Sequence, residues 1–167
     1  MALIRPADPS EIELVRSLFL EYQASLGISL CFQNFDEELR SLPGKYSPPA
    51  GRLLFAENDG EVIGCIALRP VTNSQAEMKR LYVRPAGRGM QLGRALVDRV
   101  IQEACDIGYE RIVLDTLPSM GAAIRLYRSM GFEEIGPYYP NPVEGALFLE
   151  LRIQAARPAE QSSVTIK

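Results

Sequence analysis

The chain has 167 residues and contains no histidine. Histidine is the commonest general base in enzymes, the usual activator of a catalytic serine or cysteine, and the commonest ligand of transition metals. Its absence excludes serine–histidine hydrolases, histidine-assisted thiol proteases and most zinc enzymes. Any proton transfer must use Glu, Asp, Tyr, Cys, Lys or water, and we expect no metal cofactor.

Cysteines and long apolar runs are also scarce. Cys31, Cys65 and Cys105 form no close pair or ligand cluster, and their odd number argues against a secreted disulfide framework. No run approaches the roughly 20 apolar residues that span a bilayer, and the N-terminus lacks a basic and then apolar signal segment. We therefore expect a cytoplasmic protein with no membrane partner.

The composition is that of an ordinary folded protein, with 47% hydrophobic and 23% charged residues. We expect a single domain over residues 2–153, followed by a flexible tail over 155–167, where Pro, Glu, Gln and Ser replace the apolar periodicity. The net charge of −3 disfavours nucleic acid as a partner.

The N-terminal segment predicts a short strand over 2–5 and then two helices. Asp8-Pro9-Ser10-Glu11 supplies a cap, a helical proline and a capping-box glutamate, and apolar residues then recur at helical spacing until Gly27. A second, shorter helix is predicted after Asn34, with Glu37 completing another capping box.

The rest of the chain predicts a mixed α/β sheet. Further strands are predicted at 53–57, 62–68, 76–83, 111–115, 132–135 and 146–153. The first two are joined by Asn58-Asp59-Gly60-Glu61 and form a hairpin. Helical spacing predicts helices over 92–107 and 120–130. Because the first of these helices separates strands 76–83 and 111–115, these two strands should run parallel.

A glycine-containing turn leads directly into the long helix, over residues 84–94. The unpaired N–H groups and the positive dipole end of a helix N-terminus suit an anion such as a pyrophosphate. Six basic side chains against one acid, Asp98, lie within 79–99. The alternative is a tight connection with solvated arginines. The basic residues are Lys79, Arg80, Arg84, Arg88, Arg94 and Arg99.

Three blocks together resemble the GNAT superfamily of acyl-coenzyme A N-acyltransferases. They are Glu77-Met-Lys-Arg-Leu-Tyr-Val with Arg84-Pro85, then Arg88-Gly-Met-Gln-Leu-Gly-Arg-Ala-Leu, and finally Ala123-Ile-Arg-Leu-Tyr-Arg-Ser-Met-Gly-Phe132. The likeness covers Leu3 to Ile153 in element order and is most specific from Glu77 to Phe132. It implies a central mixed, mostly antiparallel twisted sheet, flanked by helices, whose parallel strand pair splays apart to hold coenzyme A.

The resemblance also implies that acetyl-CoA is the cosubstrate and that the glycine turn holds its pyrophosphate. In the family pattern Gln91 occupies a glycine position. We expect helical dihedral angles there, so that its N–H still donates while its side chain crowds the phosphate. The implied cofactor-binding residues are Leu81, Tyr82, Val83, Arg88, Gly89, Met90, Gln91, Leu92, Gly93, Arg94, Thr116 and Ala122.

Two side chains are candidates for catalysis. Glu77, on the strand facing the presumed cleft, is our candidate general base, with burial raising its pKa. The alternative is a solvated strand carboxylate. The resemblance implies that Tyr127 protonates the departing thiolate, against the alternative of a core aromatic. It also implies that a backbone N–H from the bulged strand end, near Leu81 to Val83, stabilises the oxyanion.

The acceptor pocket is predicted in the parts of the chain that the family constrains least. The acceptor residues predicted from their positions are Tyr22, Phe32, Gln33, Tyr138 and Tyr139, with Cys31 nearby. We expect a small-molecule or amino-acid-like amine, with a protein lysine or N-terminus as the alternative. A silent acyl-CoA sensor and a structural module without cofactor also stay open, as does a homodimer formed through edge strands.

Overall fold

The structure is a computed structural model that describes residues 2–31 and 34–153. Its strands are β1 (Ala2–Pro6), β2 (Arg52–Asn58), β3 (Glu61–Pro70), β4 (Gln75–Val83), β5 (Arg111–Thr116), β6 (Glu133–Ile135) and β7 (Leu147–Arg152). Its α-helices are α1 (Ile12–Leu26), α2 (Phe35–Ser41), α3 (Leu92–Ile107) and α4 (Gly121–Ser129). Phe32, Gln33 and the predicted tail over 155–167 lie outside the described residues. Across the described ranges, no helix is both long and apolar enough to cross a bilayer.

The strands form one sheet in the order β1-β2-β3-β4-β5-β7-β6. Only β4 and β5 run parallel among the paired strands described. The β2–β3 hairpin turns at Asp59 and Gly60, whose positive φ angles of 52° and 81° match the right-handed twist of the flanking strands. The predicted mixed, mostly antiparallel α/β sheet is confirmed.

The parallel strands pair at only three positions before they separate. Gln75, Ala76 and Glu77 pair with residues 111–113, whereas β4 continues to Val83 and β5 to Thr116. The predicted splay of this pair is therefore confirmed.

A bulge in β4 accompanies the separation of the two strands. Tyr82 pairs with Cys65 and Lys79 with Ala67, so two residues of β4 face one residue of β3. Within the bulge Arg80 has φ 62°. A bulge bends its strand and increases the local twist, so this one turns the end of β4 away from β5.

Helices cover both faces of the sheet. On one face α3 contributes Leu96, Val97 and Val100 to a core that also contains strand residues such as Ile66 and Leu68. On the other face the buried residues of α1 and α2 pack over β2 and β3, and this second core consists of Val15, Leu18, Phe19, Leu30, Phe35, Tyr46, Phe55, Val62, Cys65 and Ala67. The helix α1 also contacts β4, so the acidic and basic groups at the inward positions of β4 lie beside this second core.

One of the two predicted capping boxes forms. Asp8 accepts a hydrogen bond from the Ser10 N–H, and its own N–H donates to Glu11, each at 2.9 Å. The box predicted at Asn34 and Glu37 is wrong. Asn34 is left-handed (φ 55°), and its side chain makes no cap hydrogen bond with α2. A capping residue needs extended dihedral angles to direct its side chain at the helix N–H groups.

Candidate active site

A narrow cleft lies where β4 and β5 separate. Four residues predicted from the sequence line it: Tyr22 of α1, Leu81 of β4, Thr116 of β5 and Tyr127 of α4. The other lining residues are Leu26, Leu30, Met78, Lys79, Arg80, Leu114, Asp115, Leu117 and Met120. The fold thus brings together side chains that lie about a hundred residues apart in the sequence.

Tyr127 is one of two phenols that line this cleft, beside Tyr22, and it is only 5% exposed. Its ring centroid lies 5.7 Å from that of Phe132. Burial raises the pKa of Tyr127, and the neighbouring Tyr22 and Asp115 raise it further. The hydroxyl therefore stays protonated at neutral pH, as a group that donates a proton must be.

The turn between β4 and α3 begins with a short 3-10 turn at Pro85–Gly87. Five residues predicted to bind the cofactor, Arg88, Gly89, Met90, Gln91 and Arg94, are exposed on this turn and on the first turn of α3. No side chain caps α3 among the described residues. The first N–H groups of an α-helix have no partner within the helix, so this terminus can receive an anion.

Gln91 does not have the helical dihedral angles expected from the sequence. Its φ is 56° and its ψ is 30°, the left-handed conformation, at the residue that precedes α3. Only glycine adopts this conformation without steric cost, which explains why the family pattern has glycine here. The expectation failed because the position lies one residue outside the helix.

The remaining predicted cofactor residues lie in different parts of the fold, and not all of them face the cleft. Gly93 brings the start of α3 beside α4, since a Cβ at Gly93 would lie 3.5 Å from Leu126. Tyr82 and Val83 pair with β3 on the far edge of β4, and the Tyr82 hydroxyl donates to Glu21. Ala122 is exposed on the first turn of α4 and does not line the cleft.

Glu77 is a buried ion-paired carboxylate, with 2% of its surface exposed. Arg69 Nη2 lies 2.7 Å from its Oε1, and Lys79 Nζ lies 3.9 Å from the same atom. The Tyr138 hydroxyl donates to its Oε2 at 2.5 Å.

The predicted rise in the pKa of Glu77 is wrong. Burial raises this pKa, but the charges of Lys79 and Arg69 and the hydrogen bond from Tyr138 lower it to a net value below the ordinary one. The solvated alternative is wrong as well, because the side chain is inside the protein. A carboxylate with a lowered pKa stays ionised but holds a proton weakly.

A larger cavity of about 430 Å³ adjoins the cleft. Its floor is the face of β3 and β4 that carries Arg69 and Lys79, and Tyr139 closes one side. The other lining residues belong to α2 and the loop after it: Asn34, Glu37, Glu38, Ser41, Pro43, Gly44, Lys45 and Tyr46. Lys79 lines both spaces, so the cavity and the cleft meet at its side chain.

The predicted acceptor residues are divided between these spaces. Tyr22 lines the cleft, Tyr139 lines the cavity, and Tyr138 reaches Glu77 from the loop before β7. Tyr139 also donates to Asp115, which accepts a second hydrogen bond from the Asn141 amide at 3.0 Å. Cys31 is exposed.

Sequence reasoning missed Arg69 as a site residue, and it named Lys79 only as one of six basic side chains. Their signal was a charged residue at an inward position of a strand that is otherwise buried, and period-two alternation could have identified it. No group of three or more His, Cys, Asp or Glu that could hold a metal occurs within residues 2–31 and 34–153.

Known proteins are similar to this chain in both sequence and fold. The model of the Acetyltransferase (GNAT) family matches residues 14–132. An uncharacterised N-acetyltransferase of Schizosaccharomyces pombe is 42% identical over 87% of this chain and 90% of its own length. An IAA acetyltransferase of Azospirillum brasilense is 39% identical over 61% of this chain and 68% of its own length.

Two solved structures share the fold. A GNAT-family acetyltransferase of Staphylococcus aureus has a TM-score of 0.75 at 22% identity, covering 94% of this chain and all of the other. A putative acetyltransferase of Salmonella typhimurium, solved with its cofactor acetyl-CoA, has a TM-score of 0.64 at 24% identity, covering 90% of this chain and 93% of its own. At these identities the likeness concerns the fold alone.

The left-handed backbone at Gln91 predicts an unusual ranking of substitutions. Gln91→Gly should be more stable than Gln91→Ala by about 1 kcal/mol, because alanine pays the steric cost of this conformation. At Asp98, exposed within α3, the order should reverse, since glycine is about 1 kcal/mol less favourable than alanine in a helix. Urea unfolding of the four variants measures both differences. Alanine being more stable at both positions would show that position 91 is helical.

Proposed function

Because the chain belongs to the GNAT family of acetyltransferases, we propose that it transfers an acetyl group from acetyl-CoA to the primary amine of a small molecule. The observation that carries the proposal is the separation of β4 from β5 beside the uncapped start of α3. These features supply a slot for an extended chain and a site for its pyrophosphate within one surface. The small-molecule acceptor is favoured over a protein because the adjoining cavity, about 430 Å³, has the size of a small-ligand pocket.

The residues present fit coenzyme A. The N–H groups of Leu92, Gly93 and Arg94 open α3, and they would hold the pyrophosphate with the positive end of the helix dipole. The exposed Arg88 and Arg94 add positive charge. Beyond Glu77 the edge of β4 no longer pairs with β5, so Leu81 can offer its main chain to the pantetheine arm as an added strand would.

The protein must stabilise the oxyanion, protonate the leaving thiolate and remove a proton from the amine. The neutral amine attacks the thioester carbon, and the carbonyl oxygen becomes an oxyanion, which a backbone N–H at the β4 bulge between Lys79 and Tyr82 would stabilise. Collapse of this intermediate forms the amide and breaks the bond to sulfur. The thiolate then takes a proton, for which Tyr127 is our proposed donor because it lines the cleft and stays protonated.

The amine must also lose a proton, and Glu77 stays our proposed acceptor, working through Tyr138 or water. Two findings weigh against direct proton abstraction by Glu77. Arg69 and Tyr138 occupy both of its oxygens, and its pKa lies below the ordinary range. The alternative role is electrostatic, in which the carboxylate only offsets the buried charges of Arg69 and Lys79.

Tyr127→Phe should lower kcat by at least about 10-fold, because the hydroxyl acts chiefly in the transition state. The affinity for coenzyme A should change less than about two-fold. Release of free thiol from acetyl-CoA over a panel of amines measures turnover, and isothermal titration with desulfo-coenzyme A measures binding.

Tyr109→Phe is the matched control for this variant, since the Tyr109 hydroxyl donates to the Ala50 carbonyl, away from the cleft. It should leave kcat unchanged. Equal losses of turnover and affinity in Tyr127→Phe would show that Tyr127 is not the proton donor. Tight coenzyme A binding without turnover on any amine would instead favour the silent acyl-CoA sensor.

Glu77→Gln distinguishes the two roles of this carboxylate by the pH dependence of kcat/KM. If Glu77 accepts the proton, the variant should lose about 100-fold or more near pH 7. It should recover as pH rises towards the pKa of the amine, because the amine then deprotonates in solution. A purely electrostatic role predicts a loss that shrinks only where Lys79 loses its charge, around its pKa of about 8, and that then stays constant up to the pKa of the amine. Glu103→Gln is the control. The Glu103 carboxylate, on α3, pairs with Arg52 and Arg99, and this variant should keep wild-type rates.

A further inference from the structure

The cavity beside the cleft has a positive floor, which indicates more about the acceptor than its size does. Arg69 and Lys79 come from neighbouring strands and point to the same face of the sheet, because their pairing partners are Glu77 and Ala67 in register. The Lys79 side chain is 3% exposed and that of Arg69 is 29% exposed. Two cations are therefore fixed inside the protein where a bound molecule can meet them.

Charge in and around the cavity is unbalanced. The acids of the lining each pair with an arginine: Glu38 with Arg80 at 2.9 Å and Glu37 with Arg40 at 2.8 Å. The lining and its ion-pair partners contain five cations, Lys45, Arg69, Lys79, Arg40 and Arg80. Four carboxylates face these cations: Glu37, Glu38, Glu77 and Asp115, whose charge acts on Lys79. An acceptor that brings a negative charge would offset this excess.

The geometry of Arg69 suits a carboxylate. A guanidinium has five N–H donors in a planar fork that matches the two oxygens of a carboxylate. Glu77 accepts a hydrogen bond from Nε at 2.8 Å, and Nη2 lies 2.7 Å from the same oxygen, Oε1. This pair fixes the plane of the guanidinium at the cavity floor, so it is preorganised for a second acceptor.

The pKa of Lys79 depends on its burial and on these neighbouring charges. Burial lowers its pKa to about 8; Arg80 and Arg69 add to this lowering, whereas Glu77 and Asp115 oppose it. A carboxylate bound beside this amine would favour its charged form.

The cleft supplies a carboxylate that an amine could meet. Asp115 lines the cleft, and Tyr139 and Asn141 donate to its carboxylate. A molecule with an amine and a carboxylate would meet Arg69 in the cavity with its acid and Asp115 in the cleft with its amine. This orientation directs the amine towards the acetyl group.

Resting on the function proposed above, we propose that the acceptor is an amino acid or a similar small amine that carries a carboxylate, held by Arg69 and Lys79. A protein lysine lacks an acid of this kind beside its amine, and a simple alkylamine would leave the excess positive charge uncompensated. The proposal therefore names a chemical class within the small-molecule amines.

The test compares acids with their own amides. Alanine, methionine, phenylalanine and 4-aminobutanoate, each beside its carboxamide, serve as acceptors for acetyl-CoA, with thiol release as the readout. At least one acid should exceed its amide by about 10-fold or more in kcat/KM. For the three α-amino acids, proton removal alone would favour the amide, which has the less basic amine, so their preference reports recognition of the carboxylate.

Variants of Arg69 test whether this side chain recognises the carboxylate of the acceptor. Arg69→Gln should lower the ratio of acid to amide to unity or below, whereas Arg69→Lys keeps the charge and should retain part of the preference for the acid. Arg52→Gln removes an arginine of similar burial that pairs with Glu103 on the other face of the sheet, and it should leave the ratio unchanged.

Three results would overturn the proposal: amides equal to acids across the panel, an acid preference that survives in folded Arg69→Gln, or no transfer to any of the eight compounds by protein that binds coenzyme A. Failure of the proposed function is separate. In that case either desulfo-coenzyme A gives no rise in thermal stability, although a ligand at 100 times its dissociation constant adds about 2.7 kcal/mol, or the wider amine panel, including amines without a carboxylate, releases no thiol either.

Discussion

The ion pair between Arg80 and Glu38 lies at the point where β4 leaves β5. Arg80 has a left-handed backbone within the bulge, and its side chain is 2% exposed while that of Glu38 is 10% exposed. The guanidinium also lies 5.0 Å from the ring centroid of Phe35. Removing one partner from a buried pair costs about 3–5 kcal/mol, so this contact fixes both the bulge and α2. This ion pair therefore joins the bulge beside the cleft to the helix that lines the cavity.

The polar face of the sheet follows from the same constraint. Where β4 bends away, the residues before the bulge face a cavity, and Glu77 and Lys79 occupy inward positions that apolar residues would otherwise fill. Charges placed there need partners from other strands and loops. Arg69 of β3 and Tyr138 of the loop before β7 supply them, which connects the acceptor cavity to both of these segments.

Much of the fold could be predicted from local patterns. Apolar periodicity located α1 and α3, turn residues located the β2–β3 hairpin, and an intervening helix implied that β4 and β5 are parallel. The motif around Tyr127 likewise predicted a phenol that lines the cleft. These predictions are correct because each depends on residues within one element or on a connection of fixed handedness.

Other features of the site depend on contacts that local patterns do not contain. Gln91 and Asn34 differ from expectation because the residue before a helix sets its own dihedral angles, and spacing does not reveal them. The pKa of Glu77 falls because Lys79 in the same strand, Arg69 and Tyr138 converge on it, and the last two lie 8 and 61 residues away in sequence. Burial alone predicted the opposite direction.

The central claim is that the separated edge of β4 and the start of α3 together form the coenzyme A site. Hydrogen–deuterium exchange with and without desulfo-coenzyme A tests it most directly, at saturation confirmed by calorimetry. The account predicts slower exchange at Leu81–Val83 and Leu92–Arg94, with β1 and β6 unchanged. Saturated protein whose exchange slows elsewhere while both of those segments stay unchanged would contradict it.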